Sequence, residues 1–471
     1  MKLHKTFFSA ALLVALAGTA LAQTGRSIQV DLKDTRLANG LRVITVEDHS
    51  APVIAVAVTY NVGSRNEKQG RTGFAHLFEH MMFQGSENVG KSEHFMLIQN
   101  NGGTMNGTTN EDRTNYFEAL PANQLELALY LEADRMRSLE VNQTNLDNQR
   151  NVVQEERRIG LDNAPYGKSG ETQQELMYDN FAYKHDTIGS MADLNAASVE
   201  DVRAFFKMYY APNNAVLTLV GDFKTADALA TIKKYFEVIP RQADPPAVDT
   251  SEPEQKAERR ASVDDVLARL PRVAIAYKTV PGNTSDFYAL QVLANILGGG
   301  GGGGGFGGGG GGSSSRLNQK LSREKEMVTN IGSNAQETRG VGGFYVTATL
   351  RPGVKTDDVE TAVYEEIARL QKEPIADWEL QKAKNGARRN FINGLQSSLA
   401  RANSIGQYAV YYGYPNLINT RLDKVAAVTK DDVQRVANKY LVQTNRTVVI
   451  TVPKAGGGRG NPPPPVTPGP Q

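Results

Sequence analysis

Hydrophobic and polar positions along the chain fall into two rhythms. "LRVITVED" from Leu41, "VIAVAVTYNVG" from Val53 and "RVAIAYKTV" from Arg272 alternate and are rich in β-branched residues, which predicts strands. "NQLELALYLEADRMRSL" from Asn123 repeats its apolar residues at helical spacing. Two longer stretches combine both patterns: "SVEDVRAFFKMYYAPNNAVLTLV" from Ser198 and "TKDDVQRVANKYLVQTNRTVVITV" from Thr429. They align without a gap, matching Asp201 to Asp432, Val202 to Val433, Tyr209 to Tyr440 and Asn214 to Asn445. Each predicts a capped helix followed by a strand. The chain therefore contains a large α+β unit twice, at a period too long for a solenoid.

Breaks in the pattern divide the chain further. Pro, Glu and Arg crowd "IPRQADPPAVDTSEPEQKAERRASVDD", which makes residues 239–265 a linker between an N-terminal domain, 30–238, and a C-terminal domain, 266–453. The tail, 454–471, ends in "GGGRGNPPPPVTPGPQ" and cannot build a core. "GGGGGGGGFGGGGGGSSS", Gly298 to Ser315, reads as a flexible insertion in a helix-to-helix connection, the alternative being a mobile loop that touches substrate. The chain opens with Lys2 and Lys5 ahead of an apolar run and then Ala20-Leu21-Ala22, the pattern of a secretory signal, 1–22, cleaved after Ala22. This predicts an exported protein, periplasmic or extracellular. No later stretch approaches the roughly 20 continuous apolar residues of a membrane span.

Composition narrows the chemistry. With no cysteine among 471 residues, disulfides, thiolate ligands and a cysteine nucleophile are excluded. A net charge of +1 gives no electrostatic case for nucleic acid. The candidate chemistry lies in "HLFEHMMF", His76 to Phe83. Four residues apart on a helix, His76 and His80 project from one face and can chelate a metal, and Glu79 stands at the edge of that face, within reach of a metal-bound water. The plainer reading is a buried helix with polar passengers, yet burying these groups without partners costs roughly 1–3 kcal/mol for each.

The order His-x-x-Glu-His is the inverzincin signature. Together with "GRTGFAHLFEHMMFQGSENVGKSEHF", "NGTTNEDRTNYF" and "LDNQRNVVQEERR" it makes the chain resemble the M16 (pitrilysin/insulinase-like) zinc metallopeptidases, above all the short bacterial members related to the mitochondrial processing peptidase. The resemblance spans Val30 to Val452. It implies two homologous halves, each an antiparallel sheet packed with helices, and one zinc ion per chain held by His76, His80 and a downstream glutamate, with Glu79 as general base. Matching the family's Arg-x-Val-(Ile/Val)-x-x-Glu to Arg150, Val152 and Val153 selects Glu156 over Glu155. Helical periodicity agrees, since Leu146, Gln149, Val153 and Glu156 share a face. Gln149 stands where many relatives carry a second, supporting glutamate, so that support here would be a neutral hydrogen bond.

The resemblance also implies that Asn106, Gly107 and Thr108 bind a peptide substrate by strand addition. Relatives use an arginine and a tyrosine seven residues later to stabilise the oxyanion; the arginine is Arg323 here, but the tyrosine position is Asn330. "FYALQVLANIL" from Phe287 offers no ligand where a duplicated site would need one. The expectation is an exported zinc endopeptidase completed by a homologous subunit that carries the arginine and tyrosine, or by a homodimer. The rival expectation is a non-catalytic M16-like scaffold or assembly subunit.

Overall fold

The computed structural model describes residues 29–299 and 314–454. Segment 1–22, read above as a secretory signal, most of the glycine tract and the tail beyond residue 454 lie outside the described residues. The first sheet contains β1 (Lys33–Arg36), β2 (Arg42–Glu47), β3 (Val53–Tyr60), β4 (Thr104–Thr109), β5 (Thr114–Pro121) and β6 (Ala215–Gly221), in the order β1-β2-β6-β3-β5-β4. The second contains β7 (Arg259–Asp265), β8 (Arg272–Lys278), β9 (Val328–Ala335), β10 (Gly343–Leu350) and β11 (Arg446–Pro453), in the order β7-β11-β8-β10-β9.

The duplication read from Ser198 and Thr429 extends to the whole topology. Without β1, the two orders are the same, and both sheets are antiparallel except for one parallel pair, β2 with β6 and β7 with β11. Val199–Tyr209 and Lys430–Tyr440 are the two matched helices, capped by Ser198 and Thr429, whose hydroxyls accept from the Asp201 and Asp432 backbones while those aspartates reach back to the cap N–H groups. The strands after them, β6 and β11, sit inside their sheets as the β-branched runs require.

One boundary differs from the sequence reading. β7 lies inside the segment 239–265 taken as a linker, and it is the counterpart of β2. It is an edge strand that fully buries only Val263, so "RRASVDD" carries almost no hydrophobic signal, and its place comes from backbone pairing with β11.

Each half covers the other's sheet. Helix Ser398–Tyr412 of the second half lies on the first sheet, where Ala402, Ile405 and Ala409 pack with Ala55, Ala57 and Val220. Gly406 allows the close approach, since a Cβ there would stand 2.6 Å from Thr59 Oγ1. Conversely, α5 (Gly167–Met177) lies against the second sheet, with Ser169 hydrogen-bonded to Thr451 at 2.7 Å. The other face of the first sheet carries α1 (Phe74–Met81), α2 (Glu93–Asn100), α3 (Leu125–Ser138) and α4 (Gln143–Arg157), which share one hydrophobic core with it. α1 follows β3; the equivalent helix after β8, Ser285–Leu297, is almost wholly apolar and buried.

Candidate metal centre

α1 is amphipathic in the way its sequence predicts. Phe74, Leu77, Phe78 and Met81 turn into the core, and His76 and His80 share the flank facing α4, with their rings 4.8 Å apart and nearly perpendicular. On α4, Leu146 and Val153 are buried, which turns Glu156 towards α1. Its Oε2 lies 3.4 Å from His80 Nε2 and 3.7 Å from His76 Nε2. Glu155 points away and pairs with Arg158 at 3.0 Å. The Gln149 side chain makes no hydrogen bond to another described residue.

These separations fit a metal. Zinc bonds of about 2.0–2.2 Å at the tetrahedral angle hold two ligand atoms about 3.4 Å apart. A direct charge-assisted hydrogen bond would draw them to about 2.7–2.9 Å. His76 Nδ1 is buried without a hydrogen-bond partner, so no hydrogen bond on that side orients the ring. Burial, and then the neighbouring His80, hold His76 down to about 4, which keeps it a neutral imidazole, the form that can ligate a metal. Glu156 is held below its ordinary value by its contact with His80. Its side chain is 51% exposed, against 13% and 21% for the two histidines, so the cluster opens on one side to solvent, as a catalytic site must and a closed structural site does not.

Glu79 lies across the cluster from solvent, under β4. Burial raises its pKa, and Thr109 donates to its Oε2 at 2.6 Å, opposing that rise. Gly107 is what lets β4 pass so close: a Cβ there would meet Glu79 Cγ at 3.0 Å and Tyr116 Cδ1 at 3.2 Å. β4 is the outermost strand and pairs only with β5, so the other edge of Asn106, Gly107 and Thr108 is unpaired within its sheet. Arg113 ties the far end of the hairpin together by donating to the Thr108 carbonyl at 2.7 Å. Thr109 and Arg113 escape a reading for metal ligands, although both sit in the turn-rich stretch "NGTTNEDR" beside the predicted strand. Arg323 is exposed on the short helical segment Asn318–Glu324, with no hydrogen bond or ion pair to a described residue, and Asn330 is exposed on β9.

A second group of ligand-type side chains lies outside the site read from the sequence. His94 of α2, Glu118 of β5 and Glu132 of α3 bring donor atoms within 4.8 Å of one another, all buried. The cation among them is already present: Arg135 pairs with both carboxylate oxygens of Glu132 and lies over the Tyr116 ring, 4.5 Å from its centre. Burial pushes Glu118 up to about 8 and His94 down to about 3, so these two meet as neutral groups 3.3 Å apart. This is a charge-balanced core network. The alternation of "YFEAL" could have revealed it, because Glu118 shares the inward face of β5 with Tyr116 and Leu120.

The chain is similar to known proteins along most of its length. Residues 42–164 match the family model described as Insulinase (Peptidase family M16), and residues 196–387 match that of the Peptidase M16 inactive domain. The zinc protease PqqE of Helicobacter pylori is 30% identical over 455 residues, covering 95% of this chain and 99% of that protein. A probable mitochondrial-processing peptidase subunit beta of Arabidopsis thaliana is 25% identical, over 86% of this chain and 76% of its own length. The crystal structure of a protease from Helicobacter pylori superimposes with a TM-score of 0.84 at 30% identity, over 90% of this chain and all of that one.

Proposed function

Because the chain belongs to the M16 (insulinase-like) peptidase family, we propose that it is an exported zinc-dependent endopeptidase that cleaves peptides or unfolded segments. His76, His80 and Glu156 would hold one zinc ion, and Glu79 would be the general base. The observation that carries this reading is the convergence of three ligand atoms from α1 and α4, with Glu156 Oε2 3.4 Å and 3.7 Å from the two imidazoles, on a side open to solvent. When bound, zinc supplies a Lewis acid that lowers the pKa of a water from 15.7 towards about 7 and polarises the scissile carbonyl.

The remaining work falls to the chain's own side chains and backbone. The unpaired edge of β4 can take an extended peptide as an added strand, with Asn106, Gly107 and Thr108 offering main-chain groups beside the metal ligands. Glu79, held by Thr109 and closed in by Gly107, receives the proton of the attacking water and returns it to the leaving amine. Oxyanion stabilisation is incomplete in the single chain, because Asn330 stands at the tyrosine position and Arg323 is free in solvent. A homologous subunit with both residues, or a second copy acting with Arg323, would complete it and exclude water.

Export rests on the N-terminal segment 1–22. Among the described residues no helix is long and apolar enough to cross a membrane. The test is metal analysis and a quenched-peptide assay on the purified chain with candidate partners: stoichiometric zinc and chelator-sensitive cleavage are expected, and cleavage that persists without any metal would overturn the reading.

A further inference from the structure

α1 is a helix of eight residues whose N-cap, Gly73, has no side chain to satisfy the first-turn N–H groups and adopts φ 82°. Those groups are taken from elsewhere. Glu67 accepts from Gly73 N–H at 2.9 Å and from Ala75 N–H at 2.7 Å, placing a carboxylate at the helix N-terminus, one residue before His76. Its side chain is fully buried, so it needs a further partner, and His185 Nε2 provides one at 2.9 Å. The other ring nitrogen, His185 Nδ1, lies 2.9 Å from the Phe181 carbonyl, which can only accept, and the Phe181 ring stacks on the imidazole. Whichever of Nε2 and Oε2 carries the shared proton, the contact is a hydrogen bond.

The segment that begins at His185 goes on to hold α4. Gly189 accepts from Arg157, the neighbour of Glu156, at 2.7 Å. Its backbone crosses Gly73 so closely that a Cβ on Gly189 would stand 2.4 Å from Gly73 Cα. Ser190 N–H donates to Thr72 Oγ1 at 3.0 Å, and Arg150 of α4 donates to the Leu194 carbonyl at 3.0 Å. One stretch of chain therefore grips the start of α1 and the length of α4, the two helices that bring the ligands together.

We propose that His185 is a positioning residue of the metal site: through Glu67 it fixes the start of α1 against the segment that holds α4, and so sets the distance between the imidazoles of His76 and His80 and the carboxylate of Glu156. The inference rests on the metal-site reading above. His76 Nδ1 has no hydrogen-bond partner that would hold the ring independently of its helix, so a shift of α1 passes into the ligand geometry. Metal affinity is sensitive to how its ligands are held: losing a group bonded to a ligand itself typically costs about 10–100-fold, and His185 acts one contact further out, at the lower end of that range.

The experiment measures zinc affinity of the full chain by competition with a chromophoric chelator, alongside thermal unfolding of the metal-free protein. His185→Leu should weaken zinc binding about tenfold or more. His185→Gln, whose amide can still donate to Glu67, should recover most of it. Val433→Ala, a cavity in the second half's core, should lower the melting temperature without changing zinc affinity. Should His185→Leu not fold, Glu67→Gln, which turns one acceptor into a donor facing Gly73 N–H, is expected to weaken zinc binding in the same way. Wild-type zinc affinity in His185→Leu or Glu67→Gln, or an equal loss in Val433→Ala, would overturn the positioning role alone. A wild-type chain that takes up no zinc would overturn the site reading and this inference with it.

Discussion

Glu156 reaches His80 at 3.4 Å, while its sequence neighbour Glu155 turns outward to Arg158. The two carboxylates are chemically identical and differ only in which face of α4 they occupy. Glu156→Gln should therefore lose zinc affinity by more than the 10–100-fold typical of an outer-shell change, and Glu155→Gln should bind as wild type. Chelator competition on both variants checks this; reversed phenotypes would place the third ligand one residue earlier.

The general base and the ligands have separable roles. Glu79→Gln keeps the shape and the hydrogen bond from Thr109 but cannot take a proton, so zinc content should hold while turnover falls by about 10²–10⁴. His80→Ala should lose both. Metal analysis and peptidase rates on the same preparations decide, and wild-type turnover by Glu79→Gln would remove it from the mechanism.

Gly107 gives a milder test of the same site. Gly107→Ala would push a methyl to 3.0 Å from Glu79 Cγ, forcing β4 or the carboxylate to shift by a few tenths of an ångström. A misplacement of 1 Å can cost about 10²-fold, so a loss of about tenfold in kcat/KM with unchanged zinc content is expected. Steady-state kinetics and metal analysis would show it.

The buried network around Glu118 makes stability depend on pH from both sides. Glu118 is raised from 4.5 to about 8, so between these values the unfolded chain has released a proton that the folded chain keeps, and stability falls as pH rises. His94 is lowered from 6.5 to about 3, so the unfolded chain binds a proton first and stability falls as pH drops through that window. The two slopes oppose each other between pH 4.5 and 6.5, and above 6.5 only that of Glu118 remains. Glu118→Gln, permanently neutral, should flatten the decline between pH 6.5 and 8 in denaturant midpoints; parallel pH profiles for the two proteins would contradict this.

Assembly is the last expectation. Alone, the chain should cleave peptides weakly, because Asn330 is shorter than a phenol and Arg323 has no partner to orient it. Adding a homologous subunit with the arginine and tyrosine should raise the rate. Mass in solution and peptidase rate before and after mixing are the measurements, and full activity as an isolated monomer would count against the need for a partner.

The repeated unit, its main strands and helices, and the pair His76 and His80 with Glu79 between them are legible in the order of residues, because periodicity and a four-residue spacing are local properties of the backbone. The match from Ser198 to Thr429 already held the two-half architecture that the paired sheet orders display. Features that depend on contacts between distant segments emerge only with the packed fold. β7 is too polar to announce itself and exists through its ladder to β11. Glu156 lies far along the chain from His80, and no local rule fixes their 3.4 Å separation. Glu67 and His185 are 118 positions apart, and the charges of Glu118 and Arg135 belong to no sequence pattern that marks a site. A buried polar group gives no hydrophobic signal, and its partner is set by how helices and strands pack, which the order of residues constrains only through the whole fold.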